Sequence, residues 1–544
     1  MNNLYQYKVG KYYLLIILSL FGSIVNGQEL NQSYSYQFYQ KLNPILYSTT
    51  FGGHTALKPY ILEDTMLYKS FESLLYGEQL YSNQKAYNKI FNGHLVSYSV
   101  SNASFYADIL PDFDIGNDIT GKRTTSLANL GLQFGGKLGN QFSYYINAYY
   151  NDQASPEYLT TYIQQVGIIP SQGVARDNGN ENYQSTVISG VLSYTPSKYL
   201  NISAGRDKVF IGDGYRSLLL SDYSSPYKFF RLTGSLGRLK YMAMWTFMND
   251  PAKTSQYGID RNKFGVFHYL DWSVNNRLSL GFFENLIGFF TDDNGVSRPF
   301  DFNYINPVIF LKSIDNAAND PDKALLGLTS KYKISNGVTI YGQFSLNEFH
   351  AADFFSSDGA NTNKYGWQIG LRGTNLLAIK NLNFLLETNN VKPYTYSARS
   401  AIENYSNNSE PLAHPWGANF RELVGLFNYT YKKFDFSLEA DFGRYGLDEN
   451  GINYGKDIFL LYNNPKTKSG LGNYTTQGLI TNLSFFESKI AYVINPKTNL
   501  RIELGGIYRV EKNTKFTDNT KLVTLGIRSS FRQIYNDIAS YKTH

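Results

Sequence analysis

Polar and apolar residues alternate along most of the chain from about Leu127 onward. In FDFSLEADF, 434–442, every second residue is Phe, Leu or Ala, and the residues between them are Asp, Ser and Glu. The same alternation recurs in QFSYYINAYY at 141–150, VTIYGQFSLN at 338–347 and LRIELGG at 500–506. A period of two predicts β-strands that have one apolar face.

Short and long connections separate the predicted strands. The short turns, which carry Gly, Asn or Pro, lie at 137–140, 195–198, 274–277, 335–337 and 495–498. The long polar stretches lie at 152–182, 291–322 and 389–419. Short turns on one rim and long loops on the other are typical of outer-membrane β-barrels. A soluble β-sandwich with its acidic residues facing water is the alternative architecture.

The predicted barrel occupies residues 127–531, and a tail, 532–544, follows it. At about 25 residues for a strand and its averaged connection, we expect a large antiparallel transmembrane β-barrel of roughly 16 to 18 strands. The preceding segment, 28–126, is expected to hold the first strands and a small periplasmic, plug-like part.

Alternation is lost between Thr55 and Ile90. Pro59 can open a helix there, and apolar residues follow with near-helical spacing. These apolar residues are Phe71, Leu74, Leu75 and Leu80. The pattern predicts a short helical element, and an irregular linker is the alternative.

The N-terminus has the pattern of a secretory signal peptide. Lys8 and Lys11 precede an apolar run from Tyr12 to Val25, and small residues lie just before Gln28. We therefore predict a signal peptide over 1–27 that is removed on export. The apolar run is short for a membrane span, although a retained anchor is the alternative.

The composition fits an exported barrel. The chain has 47 Tyr, 37 Phe and 46 Gly but no cysteine, which excludes disulfides and thiolate metal sites. Mean hydropathy is −0.33, too polar for a helical membrane protein. Without Lys8 and Lys11, 48 of the 50 basic residues remain against 44 acidic ones, so we expect no nucleic-acid partner.

Residue spacing gives no local enzymatic motif. The six histidines form no metal-binding pair and the chain has no GxSxG, so we expect no enzyme, no metal and no cofactor. A triad assembled across strands is the alternative, with His350 beside Glu348 and Asp353.

Charged residues and glycines crowd the segment from Gly205 to Gly234. Its residues Arg206, Asp213, Tyr215 and Arg216 are candidate ligand-binding residues, because Arg and Tyr supply hydrogen bonds and stacking surfaces. An ion-pair network that braces the barrel wall is the alternative.

A second segment, Asn389 to Phe420, holds two further candidates for ligand binding, Tyr394 and Tyr396. In its PLAHPWGANF stretch, two prolines hold the preceding residues out of helix. We predict a rigid loop in the barrel mouth, in which His414 and Trp416 serve packing or gating.

Several stretches resemble the Wzi-like capsule-assembly outer-membrane family, in the RemB-like form found in gliding bacteria. They are GRDKVFIGDGYRSLLLSD, YINPVIF, DKALLGLTSKYKISNGVTIYGQFSLNEF, VKPYTYS, PLAHPWGANF and GIRSSFRQIYNDI. The resemblance implies a large outer-membrane barrel with a small periplasmic helical part and no enzymatic activity.

The family's function suggests the partners. We expect a surface-exposed protein of a Gram-negative outer membrane that contacts membrane lipid and binds or organises surface or capsular polysaccharide. Its role would be capsule assembly or gliding motility, with export or gliding machinery as a further partner. Since the polar strand faces suit a hydrated pore equally well, an outer-membrane porin is the alternative.

Overall fold

The computed structural model describes ten stretches of the chain. They are 28–29, 33–62, 65–76, 85–250, 261–292, 296–299, 302–310, 323–348, 358–468 and 470–541. The predicted signal peptide, 1–27, lies outside the described residues.

Eighteen antiparallel strands close into one barrel. The strands are β1 (Ala103–Asp118), β2 (Arg123–Leu138), β3 (Phe142–Ala154), β4 (Asn182–Ser197), β5 (Leu200–Asp207), β6 (Tyr227–Leu236), β7 (Leu239–Asp250), β8 (Arg261–Ser273), β9 (Leu278–Phe289), β10 (Lys323–Ser335), β11 (Val338–Glu348), β12 (Lys364–Gly373), β13 (Leu382–Val391), β14 (Phe420–Tyr431), β15 (Phe434–Leu447), β16 (Leu479–Asn495), β17 (Leu500–Lys512) and β18 (Thr517–Ser529). Each strand pairs with the next, and β18 pairs with β1 to close the sheet. The predicted large antiparallel barrel is confirmed.

Alternation along the strands separates a lipid-type outer face from a polar lumen. In β15, Leu438 is 46% exposed on the outside, whereas Asp441 is fully buried on the lumen side. Phe434 and Phe442 share the outer face with Leu438. An apolar exterior of this kind is what a membrane-spanning barrel requires, because hydrocarbon offers no partner for polar groups.

The two ends of the barrel differ. At one end, which we call the short-turn rim, all connections except 374–381 have two to four residues, including 198–199, 432–433 and 496–499. At the other end, the long-loop rim, most connections are long, among them 155–181 and 448–478, although 119–122 and 513–516 have four residues. The predicted alternation of short and long connections therefore corresponds to opposite ends of one barrel.

Within the described ranges, five α-helices accompany the barrel. They are α1 (Tyr36–Tyr39), α2 (Asn43–Leu46), α3 (Thr65–Tyr76), α4 (Lys85–Phe91) and α5 (Glu157–Val166). Helix α3 is the element predicted after Pro59: it buries Phe71 and Leu75, and its Glu72 lies 3.9 Å from Lys497 on the short-turn rim. Leu80 lies outside the described residues. No helix in these ranges is long and apolar enough to cross a membrane.

One segment lies on the outer wall of the barrel. Residues 302–310, which contain the YINPVIF stretch, cover outward residues of β7 to β9, and Trp245 Nε1 donates to the Tyr304 carbonyl at 2.8 Å. Beneath the segment, His268 Nδ1 lies 2.9 Å from a Glu284 carboxylate oxygen, which also accepts a backbone N–H of the segment at 2.8 Å. The segment thereby shields a polar pair that would otherwise face lipid.

Candidate functional site

Parts of the chain fold back into the barrel and fill its lumen. We call four of them together the lumen plug: 33–62, 208–226, 392–419 and 530–541. Every residue of 209–227 is buried, as is every residue of 411–420. These connections are therefore part of the protein core, although they join strands at a rim.

The tail 530–541 threads this plug from one rim to the other. At the short-turn rim, Asn499 donates to the Ser530 carbonyl at 2.6 Å. Near the long-loop rim, Lys456 Nζ lies 4.5 Å from the centre of the Tyr541 ring. The last described residues of the chain therefore connect the two ends of the lumen.

Arg216 lies at the centre of the plug among carboxylates. Its guanidinium donates to Glu422 at 2.9 Å and to Asp537, and it lies 3.6 Å from Asp441. All of these side chains are essentially inaccessible to solvent. Glu387 accepts the backbone N–H of Arg216 at 3.1 Å. Because an unpaired buried charge is very costly, this cluster holds the connection 208–226, the three strands β13 to β15 and the tail 530–541 in one arrangement.

His414 extends the Arg216 cluster toward Trp416. Its Nε2 lies 2.7 Å from Glu422, and its Nδ1 accepts the backbone N–H of Trp416 at 3.1 Å. Burial lowers the pKa of His414, although the Glu422 carboxylate opposes this effect. The neutral tautomer with a proton on Nε2 satisfies both contacts, so His414 positions the loop through hydrogen bonds.

Trp416 is fully buried between the plug and the barrel wall. Its Nε1 donates to the Asp537 carbonyl at 2.8 Å, and its ring meets Tyr445 edge-on. The ring also lies over Gly443 of β15, where an added Cβ would come within 2.1 Å of it. Gly443 therefore provides the space that Trp416 occupies.

Asp213, in the plug segment 208–226, joins this segment to the N-terminal plug segment 33–62. It accepts hydrogen bonds from Tyr47, at 2.9 Å, and from Thr55. Burial alone would raise the pKa of Asp213, but the nearby cations Lys331 and Lys58 outweigh burial and lower it. An ionised Asp213 therefore holds two segments that are far apart in sequence.

The other predicted ligand-binding residues lie in or beside the plug. The Tyr394 hydroxyl donates to the Asn453 carbonyl at 2.9 Å, and the Tyr396 hydroxyl donates to the Leu218 carbonyl at 2.7 Å. Tyr215 is buried with its ring 4.7 Å from the Arg216 guanidinium carbon. Arg206 is half-buried and donates to the Pro226 carbonyl at 3.1 Å. The structure brings Tyr215 and Arg216 into the central cluster and leaves Arg206 at the edge of the plug.

A cluster that sequence reasoning missed lies at the long-loop rim, at the ends of β11 and β12 and in two connections. Exposed Arg399 donates to the Tyr462 hydroxyl at 2.8 Å, and this hydroxyl donates to Glu348 at 2.6 Å. Lys364 Nζ lies 3.4 Å from the centre of the Tyr462 ring. We call these four residues the Tyr462 cluster. Arg399 lies two residues after the VKPYTYS stretch, but no spacing in the sequence links it to Tyr462.

The alternative catalytic triad cannot be placed. Glu348 belongs to the Tyr462 cluster, while His350 and Asp353 lie outside the described residues. Within the ranges that the structure describes, no three His, Asp or Glu side chains come together in a way that could hold a metal ion.

Comparisons with known proteins support the fold. No family model and no curated protein matches the chain. Among solved structures it is similar to Wzi of Escherichia coli, an outer membrane protein involved in group 1 capsule assembly and a carbohydrate-binding β-barrel. The TM-score is 0.52 at 14% identity, over 90% of this chain and 98% of Wzi.

Two barrels of Pseudomonas aeruginosa match less well. OprD has a TM-score of 0.41 at 10% identity, over 83% of this chain and 98% of OprD. OpdK, solved with vanillate, has a TM-score of 0.41 at 10% identity, over 79% of this chain and 98% of OpdK. The fold is therefore Wzi-like, whereas the form found in gliding bacteria stays a prediction.

Proposed function

We propose that this protein is a non-enzymatic outer-membrane barrel that binds or organises surface polysaccharide, in support of capsule assembly or gliding motility. The observation that carries the proposal is the filled lumen. A barrel of 16 to 18 strands is wide enough to leave an aqueous channel. Here inward segments occupy that space, and buried ion pairs hold them, which favours a scaffold over a conduit.

Three features support an outer-membrane location. The barrel exterior is apolar, the N-terminus has the pattern of a signal peptide, and the fold is similar to that of an outer membrane protein. In such barrels the short turns face the periplasm and the long loops face outward. The Tyr462 cluster would then lie on the cell surface.

The chemistry of the Tyr462 cluster suits a polysaccharide. A tyrosine face stacks on a sugar ring, while guanidinium and carboxylate groups form hydrogen bonds with hydroxyls. Arg399 is exposed, so a ligand can reach it without opening the plug. Among the described residues, this cluster is where we place the proposed contact with polysaccharide.

The test combines retention and conductance. Purified protein should be retained on a column carrying the capsular or surface polysaccharide of the source cells, and it should give little steady current in a planar bilayer. Arg399→Ala combined with Tyr462→Ala should weaken retention. Arg176→Ala, which changes an exposed arginine on another long-loop connection, should leave it unchanged.

The alternative function, a porin, predicts the reverse. Sustained single-channel current without retention on the column would refute the polysaccharide role and favour a porin. If the column retained the Arg399→Ala, Tyr462→Ala double variant as well as it retains Arg176→Ala, the polysaccharide would bind elsewhere on the protein.

A further inference from the structure

A second site lies at the opposite end of the barrel. A cavity of about 590 Å³ opens at the short-turn rim between helices α2 and α3 and the adjacent ends of β13, β14 and β16. This volume is within the range of sites that bind small ligands or short peptide segments. Nothing in the proposed polysaccharide role uses this cavity.

The barrel side of the cavity is its inner wall. Asn383 and Val493, which line it, are buried lumen-facing residues, and Tyr492 beside Val493 is exposed on the outside. The cavity therefore opens to the water at this rim and away from the lipid-type face. A membrane lipid that approaches from the side would meet the outer residues instead.

The mouth of the cavity carries uncompensated positive charge. Lys380, Lys432 and Lys433 are exposed on two adjacent turns, and none of them has an ion pair with a described residue. Asp435 also lines the cavity, but Lys41 neutralises it at 2.8 Å. Three lysines thus remain to attract an anionic ligand.

Part of the cavity lining is apolar. Leu74 of α3, Pro44 of α2 and Val493 of β16 supply aliphatic surface, beside the polar side chains of Asn92, Asn381, Asn383 and Thr430. The aliphatic part of the lining favours a ligand with apolar side chains over a saccharide, since sugars bind through dense hydrogen bonding and aromatic stacking. A ligand that carries aliphatic side chains next to carboxylates matches both the aliphatic part of the lining and the lysines at the mouth.

We propose that this cavity binds an acidic peptide segment with aliphatic side chains, presented by a protein partner at the short-turn rim. The lysines at the mouth pair with Asp or Glu side chains, and the aliphatic side chains of the segment cover Leu74 and Val493. In the proposed orientation, this partner resides in the periplasm.

The test uses the full chain in lipid nanodiscs and a hexapeptide that alternates Asp and Leu and carries a neutral fluorophore. Fluorescence anisotropy should show saturable binding that weakens as salt is raised. Replacing the three lysines together by Gln should weaken binding about tenfold, since each exposed charge contributes modestly. Lys198→Gln, on a distant short turn of the same rim, should have no effect.

Two further peptides separate charge from apolar contact. A hexapeptide alternating Lys and Leu should not bind, and one alternating Asp and Ser should bind weakly. Leu74→Ser should reduce binding of the Asp and Leu peptide, while Arg399→Ala should not. The proposal would be overturned if the triple lysine variant bound the Asp and Leu peptide as tightly as the wild type does. It would also be overturned if oligogalacturonate displaced the labelled peptide more strongly than the unlabelled peptide does.

The outcome is independent of the proposed function. Retention on polysaccharide should survive the triple lysine change, because the Tyr462 cluster lies at the other end of the lumen. Loss of both activities in that variant would point to misfolding, which a heat-modifiability gel detects.

Discussion

Trp416 gives the most direct test of how the lumen is held closed. Replacing it by alanine removes a fully buried indole that contacts the barrel wall and the C-terminal tail together. Because these contacts are all inside the barrel, the perturbation should loosen the plug and leave the β-sheet hydrogen bonds intact.

The expected cost follows from the contacts that are lost. Truncating a buried tryptophan to alanine costs about 3–5 kcal/mol through lost burial and the cavity left behind. The Asp537 carbonyl also loses its donor at 2.8 Å, which adds about 1 kcal/mol or more when the oxygen stays buried. A shift of about 4 kcal/mol changes the ratio of closed to open plug roughly a thousandfold.

Planar-bilayer recordings measure this shift. Wild-type protein should give little steady current, and Trp416→Ala should give frequent openings as 392–419 leaves the lumen. Trp272→Ala is the matched control, because Trp272 is 42% exposed on the outer face and touches no plug residue in the described contacts. If Trp416→Ala conducted no more than this control while folding normally on a heat-modifiability gel, the account of plug closure would be wrong.

Three further changes probe the plug. Gly443→Ala should destabilise the closed plug by about 1–3 kcal/mol, because the added Cβ would lie 2.1 Å from the Trp416 ring. The effect is measured as increased current, and it should largely vanish when Gly443→Ala is combined with Trp416→Ala. Arg216→Met leaves buried carboxylates unpaired and should cost about 3–5 kcal/mol in thermal unfolding, whereas Arg206→Met, at the edge of the plug, should cost under about 1 kcal/mol. Burial raises the pKa of Glu410 from 4.5 to about 7, so folding disfavours its ionised form. The contribution of protonated Glu410 to folding stability is therefore complete below pH 4.5 and is lost as pH rises through 7. Glu410→Gln should flatten this part of the pH dependence of the melting temperature.

The barrel could be predicted from the sequence because its signal is local. Each strand alternates residue by residue, as 434–442 does, and each short turn carries its own Gly, Asn or Pro. Helix α3 was also predicted, since Phe71, Leu74 and Leu75 lie within one or two helical turns. A pattern confined to neighbouring residues is visible without knowing which strand pairs with which.

The interior of the barrel could not be predicted in this way. Arg216 meets Glu422 across 206 positions and Asp537 across 321 positions. No spacing rule connects such residues, because the closure of the barrel brings them together. The connection 208–226 does carry two apolar triplets, at 209–211 and 218–220, but these do not show which distant residues it packs against.

The Tyr462 cluster could not be predicted from the sequence for the same reason. Its residues come from β11, β12 and two separate connections, and each is unremarkable in its own stretch of sequence. Tyr394 and Tyr396 lie close to Arg399 in sequence, yet their hydroxyls already bond to the backbone carbonyls of Asn453 and Leu218. The predicted tyrosines and Arg399 belong to one connection, and only the fold distinguishes the buried tyrosines from the exposed arginine.

The plug also separates the chemistry of the two rims. At the long-loop rim, the charges of the Tyr462 cluster are paired with one another and surround an aromatic ring. At the short-turn rim, Lys380, Lys432 and Lys433 have no ion pair with a described residue and line a partly aliphatic cavity. Since the segments between the rims are buried, a ligand at one rim has no contact with a ligand at the other. Any coupling between them must pass through the plug itself, and the tail 530–541, which reaches both rims and carries the partner of Arg216, is the element whose displacement would transmit it.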